Sequence, residues 1–204
     1  MIYTIIFKEF NLIYIKFLIM KNIEHFLENY NSEFSKISNI NEDIKKKIIK
    51  LHKLITNIKK NKKKIIIVGN GGSAAIASHF SVDMTKNGGI RCVNFNESDL
   101  LTCFSNDYGY ENWVKAALRF YADKGDLIIL ISSSGNSLNM INAAKFTKLK
   151  KNNLVTFTGF FGKNKLSKYG NLNFVVNSKS FNFIENTHQY WLLTLVDILF
   201  KFKK

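Results

Sequence analysis

The sequence predicts an α/β protein, a doubly wound five-stranded parallel sheet flanked by helices. Three observations carry that prediction. Residues 65–68 (Ile-Ile-Ile-Val) and 127–131 (Leu-Ile-Ile-Leu-Ile) are continuous apolar runs without period-2 alternation, as expected of strands buried on both faces of a parallel sheet. Segments with apolar residues at helical spacing alternate with such runs along the chain, the pattern of repeated crossover units. The two strongest runs each end in a turn of small residues that opens a helix, Gly69-Asn70-Gly71-Gly72-Ser73 and Ser132-Ser133-Ser134-Gly135-Asn136-Ser137.

In chain order, residues 1–19 are strongly apolar, but Lys8, Glu9 and Lys16 interrupt them. No uninterrupted span there reaches the length of a membrane helix, and the charge-first pattern of a signal peptide is missing. A patterned helix follows Met20 at once, so residues 1–19 read as a doubtful extension and 20–204 as one domain. Residues 21–36 carry Ile23, Phe26, Leu27, Tyr30 and Phe34 at helical spacing. Residues 42–60 repeat the pattern with Ile44, Ile48, Ile49, Leu51, Leu54, Ile55 and Ile58. Both helices are apolar enough to suggest self-association. The lysines between 59 and 64 read as a solvated connection to the first strand, 65–69. A helix over 73–86, a strand over 91–95 and a short helix over 98–104 come next. Then follow a helix over 111–123, a strand over 126–131 and a helix over 138–150. Strands at 154–158 and 173–176 and a last amphipathic helix at 183–201 complete the order.

Composition bounds the partners. The formal net charge is +15, yet arginine occurs only at positions 91 and 119, and the chain is rich in Lys, Ile, Asn and Phe with no proline. That pattern reflects AT-rich codons and a solvated lysine surface. It lacks the arginine forks favoured by nucleic-acid readers, so neither nucleic acid nor membrane is expected as a partner. Cys92 and Cys103 have no metal or redox spacing and fit a reducing cytoplasm.

The glycine turn is a seat for a phosphate, because glycines let backbone N–H groups approach a ligand at the positive end of a helix. Gly69-Asn70-Gly71-Gly72-Ser73-Ala74 also satisfies the dinucleotide pattern G-x-G-x-x-A. That pattern requires an acidic residue at the end of the second strand, and the nearest, Glu97 and Asp99, lie beyond it. The serine turn adds hydroxyls to a second helix start. In an open α/β sheet both turns lie at the carboxyl ends of the strands, where ligands bind. Two such cradles suit one phosphate ester on a polar sugar better than a dinucleotide.

Gly69-Asn70-Gly71-Gly72-Ser73-Ala74-Ala75 with His79, then Asn106-Asp107-Tyr108-Gly109-Tyr110, then Ile131 to Ser137, together resemble the sugar isomerase (SIS) domain, and within it the bacterial phosphoheptose isomerases. The resemblance runs from about Met20 to the end and includes a helical N-terminal hairpin. It implies aldose–ketose isomerisation of sedoheptulose 7-phosphate or a related sugar phosphate, a cytoplasmic homotetramer with sites between subunits, and a bound Zn²⁺. By position it implies substrate contacts from Asn70, Gly71, Gly72, Ser73, Asn106, Asp107, Ser132, Ser133, Ser134, Ser137 and Glu185.

The chain departs from the family where the chemistry lies. The family's His-x-x-x-Glu is here His79 and Asp83, and its Gln, with histidines three and eight residues later, is here Glu185, His188 and Leu193. Leucine neither ligates nor titrates. On an ideal helix positions 188 and 193 point roughly 140° apart, so His188 does not replace the missing histidine geometrically. Two readings stay open. In one, His79, Asp83, Glu185 and His188 form a rebuilt zinc site, with Asp83 or Glu185 as the base and His188 assisting. In the other, isomerisation is lost and the domain binds a sugar phosphate or a regulatory protein partner.

Overall fold

The computed structural model describes residues 2–202, with side chains from residue 18 onward. The chain divides into two compact units, Met1–Asn39 and Ile40–Lys204. The first is a single helix, α1 (Ile2–Ser38), which passes through Met20 without a break. The helix start expected at Met20 is therefore not a structural boundary, and most side chains of residues 1–19 lie outside the described ones. Among the described side chains of α1, Ile19, Met20, Ile23, Phe26 and Leu27 are exposed. The other member of the expected hairpin, α2 (Glu42–Lys60), belongs to the second unit.

Helix α2 starts where Asn41, in extended backbone, accepts the Ile44 N–H on its side chain, with Glu42 and Asp43 in the first turn. A cap of this kind satisfies a donor the helix cannot satisfy itself. Ile44, Ile48, Leu51, Ile55 and Ile58 are buried, at alternating steps of four and three, so one stripe of the helix lies against the sheet.

The sheet follows, its strands and helices mostly alternating. β1 (Ile65–Gly69) leads to α3 (Gly72–Lys86), β2 (Cys92–Val93), α4 (Ser98–Tyr108) and α5 (Trp113–Tyr121). β3 (Leu127–Ser132), α6 (Leu138–Leu149), β4 (Asn153–Thr158), β5 (Leu172–Val175) and α7 (Phe181–Lys201) complete it, with two short 3-10 turns at Phe160–Gly162 and Leu166–Lys168. All five strands are parallel in the order β2-β1-β3-β4-β5, the predicted fold class. Every residue of β1 and β3 is buried, so both faces are covered. Ile66, Val68, Ile128 and Leu130 pack with Trp113, Leu118, Met140 and Ala144 on the α5–α6 side. On the opposite face Phe157 stacks on Phe174 at 4.5 Å, and Phe174 meets Trp191 of α7. Burying each large side chain contributes about 1.5–3 kcal/mol.

Several details differ from expectation. β2 is two residues rather than five, because Asn94 and Asn96 leave the ladder: Asn94 donates to Ser81 Oγ at 2.8 Å, and Asn96 donates to Ala74 O and Ser78 Oγ of α3. Short amide side chains compete with ladder bonds in this way. α4 extends to Tyr108, which puts Asn106 and Asp107 on its last turn instead of in a loop. Lys64 ends the lysine run as an ion-paired residue, 2.6 Å from both Asp123 and Asp126. Asp126, fully buried, accepts the backbone N–H groups of Lys64 and Asp123, which joins the starts of β1 and β3.

Candidate active site

The chain order along the sheet reverses between β1 and β3, which are neighbours with Gly69 opposite Ile131. The glycine turn and the serine turn therefore emerge side by side at the topological switch point, the crevice where open α/β sheets bind ligands. Gly71 has φ +55°, and a Cβ built on it would meet no heavy atom within 4 Å. The backbone there requires glycine, and the turn stays open to solvent above it. Gly69 is glycine for the opposite reason: a Cβ would lie 2.5 Å from the Ser73 backbone, so β1 and α3 approach too closely for any side chain.

Alternation along β3 separates the predicted serines. Ser132 faces α6, where its Oγ lies 3.1 Å from Ser137 Oγ. Ser133 points to the opposite face, donating to Glu185 Oε1 at 3.2 Å and lying 3.5 Å from Ser73 Oγ. Successive residues of an extended chain point to opposite faces, and the division follows from Ser132 ending β3 with Ser133 just beyond it. Ser134 Oγ accepts the Asn136 N–H at 3.2 Å. Ser137 is the N-cap of α6 without a side-chain cap bond, and the Met140 N–H is taken by Asn139 Oδ1, so Ser132, Ser134 and Ser137 surround a helix start that leaves the Leu138 and Asn139 N–H groups for an anion.

Glu185 is brought in by α7. Its carboxylate lies over Gly72, where a Cβ would be 2.2 Å from Oε2. The site thus holds a carboxylate at the amide end of α3, oriented by Ser133, where the helix favours an anion. The two turns are also tied by amides. Asn70 and Asn139 exchange two hydrogen bonds at 3.0 and 2.9 Å, and the Tyr110 hydroxyl donates to Asn70 Oδ1 at 3.4 Å. Asn139 and Tyr110 were not among the predicted site residues. Tyr110 sits inside the Asn106–Tyr110 stretch that resembles the family; Asn139 shows no signal beyond being a polar residue on the buried side of α6.

The remaining predicted residues fall differently. Asn106 and Asp107 are exposed and hydrogen-bond each other at 3.0 Å, and among the described residues no hydrogen bond joins them to either turn. His79 pairs with Asp83, Nε2 to Oδ2 at 3.3 Å, on a half-exposed face of α3. His188 is fully buried under the sheet, with Nε2 3.2 Å from Thr158 O and its ring edge-on to Phe157. Burial pushes its pKa down to about 4, against the opposing effect of the Thr158 carbonyl. Within one chain the His188 side chain faces the core, because position 188 lies on the α7 stripe with Ile184, Trp191 and Leu195. The four residues named for zinc do not come together in one chain. His79 and Asp83 form a pair, Glu185 turns to Gly72, His188 is enclosed, and no three His, Cys, Asp or Glu side chains gather to hold an ion among the described residues. The donors of one chain do not fit zinc.

Known proteins with this arrangement give it a family. A family model, the SIS domain, matches residues 29–159. A phosphoheptose isomerase from Aliarcobacter butzleri is 33% identical over 169 residues, covering 80% of this chain and 89% of that protein. One from Buchnera aphidicola is 36% identical over 138 residues, covering 64% and 71%. Among solved structures, the phosphoheptose isomerase GmhA from Neisseria gonorrhoeae superposes with a TM-score of 0.77 at 27% identity, over 89% of this chain and 99% of that one. The phosphoheptose isomerase from Francisella tularensis reaches the same TM-score at 20% identity, over 89% and 98%, a likeness of fold. Glycine turn, serine turn and the first four strands thus lie within a matched region that spans well over half of the sequence, and this chain belongs to the SIS domain family.

Proposed function

We propose that this chain is a sugar-phosphate isomerase interconverting sedoheptulose 7-phosphate and D-glycero-D-manno-heptose 7-phosphate, the activity named for its relatives. The observation that carries the reading is the carboxylate of Glu185 set between the two turns, against Gly72 and Ser133. The start of α6, with Ser132, Ser134 and Ser137, takes the phosphate; the glycine turn takes the sugar. Aldose–ketose isomerisation moves one proton between adjacent carbons through an enediolate, and a single positioned carboxylate can remove and return it. Glu185 is that base. Ser133 engages Oε1, which leaves Oε2 toward Gly72 for the proton. His79 and Asp83 lie seven and eleven residues along α3 from Gly72, about 10 and 16 Å at the rise of an α-helix, so within one chain they stand apart from the Glu185 carboxylate.

The tetramer and the cytoplasmic location belong to the same reading. The exposed apolar side chains of α1 support self-association. Two free thiols, Cys92 buried and Cys103 exposed, suit a reducing compartment. Among the described residues no helix is long and apolar enough to cross a membrane.

The test is turnover of sedoheptulose 7-phosphate by the purified chain, with Glu185→Gln beside it. The wild type is expected to convert it, and Glu185→Gln to lose about 10²–10⁴-fold in kcat, the usual contribution of a general base. Thermal stabilisation by the sugar phosphate without any turnover would instead assign a binding domain.

A further inference from the structure

Three hydrogen bonds hold the Asn70 amide at the switch point. Its Nδ2 donates to Asn139 Oδ1 at 3.0 Å, and Asn139 Nδ2 donates back to Asn70 Oδ1 at 2.9 Å, a closed ring of two carboxamides. The Tyr110 hydroxyl donates to the same Asn70 Oδ1 at 3.4 Å. Asn139 is itself only 2% exposed, and its Oδ1 also accepts the Met140 N–H at 3.0 Å. Three segments meet on one amide: the β1–α3 turn, the α4–α5 connection and the first turn of α6.

A carboxamide oxygen has two lone pairs and its nitrogen two hydrogens. Both lone pairs of Asn70 are used, by Asn139 and Tyr110, and one of its two N–H bonds is used by Asn139. What remains is a single N–H. Turning the amide over would set nitrogen against nitrogen and oxygen against oxygen, leaving buried groups of Asn139 unpaired at the full desolvation cost. Asn70 is therefore a donor only, and its direction is set before any substrate arrives.

A fixed donor acts most strongly on an oxygen that gains negative charge in the reaction, since no reorganisation is needed at that moment. We propose that Asn139 and Tyr110 are positioning residues for the isomerisation. They hold the free N–H of Asn70 toward the substrate oxygen that becomes anionic as the enediolate forms. This rests on the isomerase reading above and adds to it the group that stabilises the intermediate's charge.

A double-mutant cycle tests it, with kcat and KM measured for sedoheptulose 7-phosphate. In the wild-type background Asn139→Leu is expected to lower kcat about tenfold and Tyr110→Phe about threefold, with smaller changes in KM. In an Asn70→Ala background both losses are expected to shrink below about twofold, because the residues act through Asn70. Equal losses in the two backgrounds, or no loss in either, overturn the proposal. If Asn139→Leu does not fold, Tyr110→Phe carries the same test, since Tyr110 is exposed and only one hydroxyl is removed. If the wild type converts no sugar phosphate, the isomerase reading falls separately. The cycle is then read on heptose-phosphate affinity by thermal shift, where equal losses in both backgrounds overturn the positioning role.

Discussion

Glu185 and His188 lie three positions apart on α7 and meet opposite environments. Glu185 reaches the open end of the sheet, while His188 is fully enclosed between α7 and the sheet. The difference separates a group that can meet a substrate from one that supports the fold. Gly72 shows how narrow the carboxylate's place is. Gly72→Ala sets a methyl where Glu185 Oε2 now lies, and the end of a flexible side chain can move aside. Stability is expected to stay close to wild type, while kcat falls about 10²-fold, the cost of a displacement near 1 Å. Melting curves and turnover measured together check that split. His188 supplies a pH signature of stability. Its folded pKa, about 4, lies below the ordinary 6.5 because burial disfavours the charged ring. Between these values the unfolded chain binds a proton that the folded chain refuses. The contribution is thus complete above pH 6.5 and is lost as pH falls toward 4, by on the order of 3 kcal/mol. Denaturant midpoints across that range are expected to fall less steeply in His188→Gln than in the wild type.

At the scale of elements, the glycine and serine turns become one site because β1 and β3 pair in register. Their hydroxyls divide because a strand alternates. The helices are held by ordinary local chemistry, and α2 is the clearest case, with Asn41 accepting the Ile44 N–H at 3.0 Å. Asn41→Ala is expected to cost about 1 kcal/mol and to lower the melting temperature by about 2–4 °C in a chain of this size. Calorimetry would detect that shift. A melting temperature unchanged within a degree would mean that burial of Ile44, Ile48 and Leu51 alone holds the helix start. The elements also show where pattern reading fails. Arg91 to Phe95 reads as a strand by composition, yet Asn94 and Asn96 find better partners on α3 and shorten it. Asn106 and Asp107 read as loop residues and form the last turn of α4, which stops only at Gly109, at φ +79°.

For the whole molecule, the apolar side chains left exposed on α1 are the feature that a lone subunit does not account for. Ile23, Phe26 and Leu27 are 45%, 62% and 58% exposed, a contiguous apolar stripe at helical spacing, and such stripes mark association surfaces. The wild type is expected to sediment with the mass of four chains, and replacing these three residues by serine to yield a smaller species. A wild-type mass of one chain would remove the tetramer from the reading and leave the site to a single subunit.

The succession of strands and helices along the chain, the two phosphate-type turns and the family were legible in the chain itself. Unbroken apolar runs such as 65–68, and small residues placed at strand ends, encode buried parallel strands and helix starts by local physics. The tertiary structure alone decided which of the candidate groups meet. It sent Ser132 and Ser133 to opposite faces, enclosed His188, placed Glu185 over Gly72, and paired Asn70 with Asn139 across a separation of 69 residues. No spacing in the sequence reveals such a contact, because it depends on how two helix starts lie beside each other once β1 and β3 are joined.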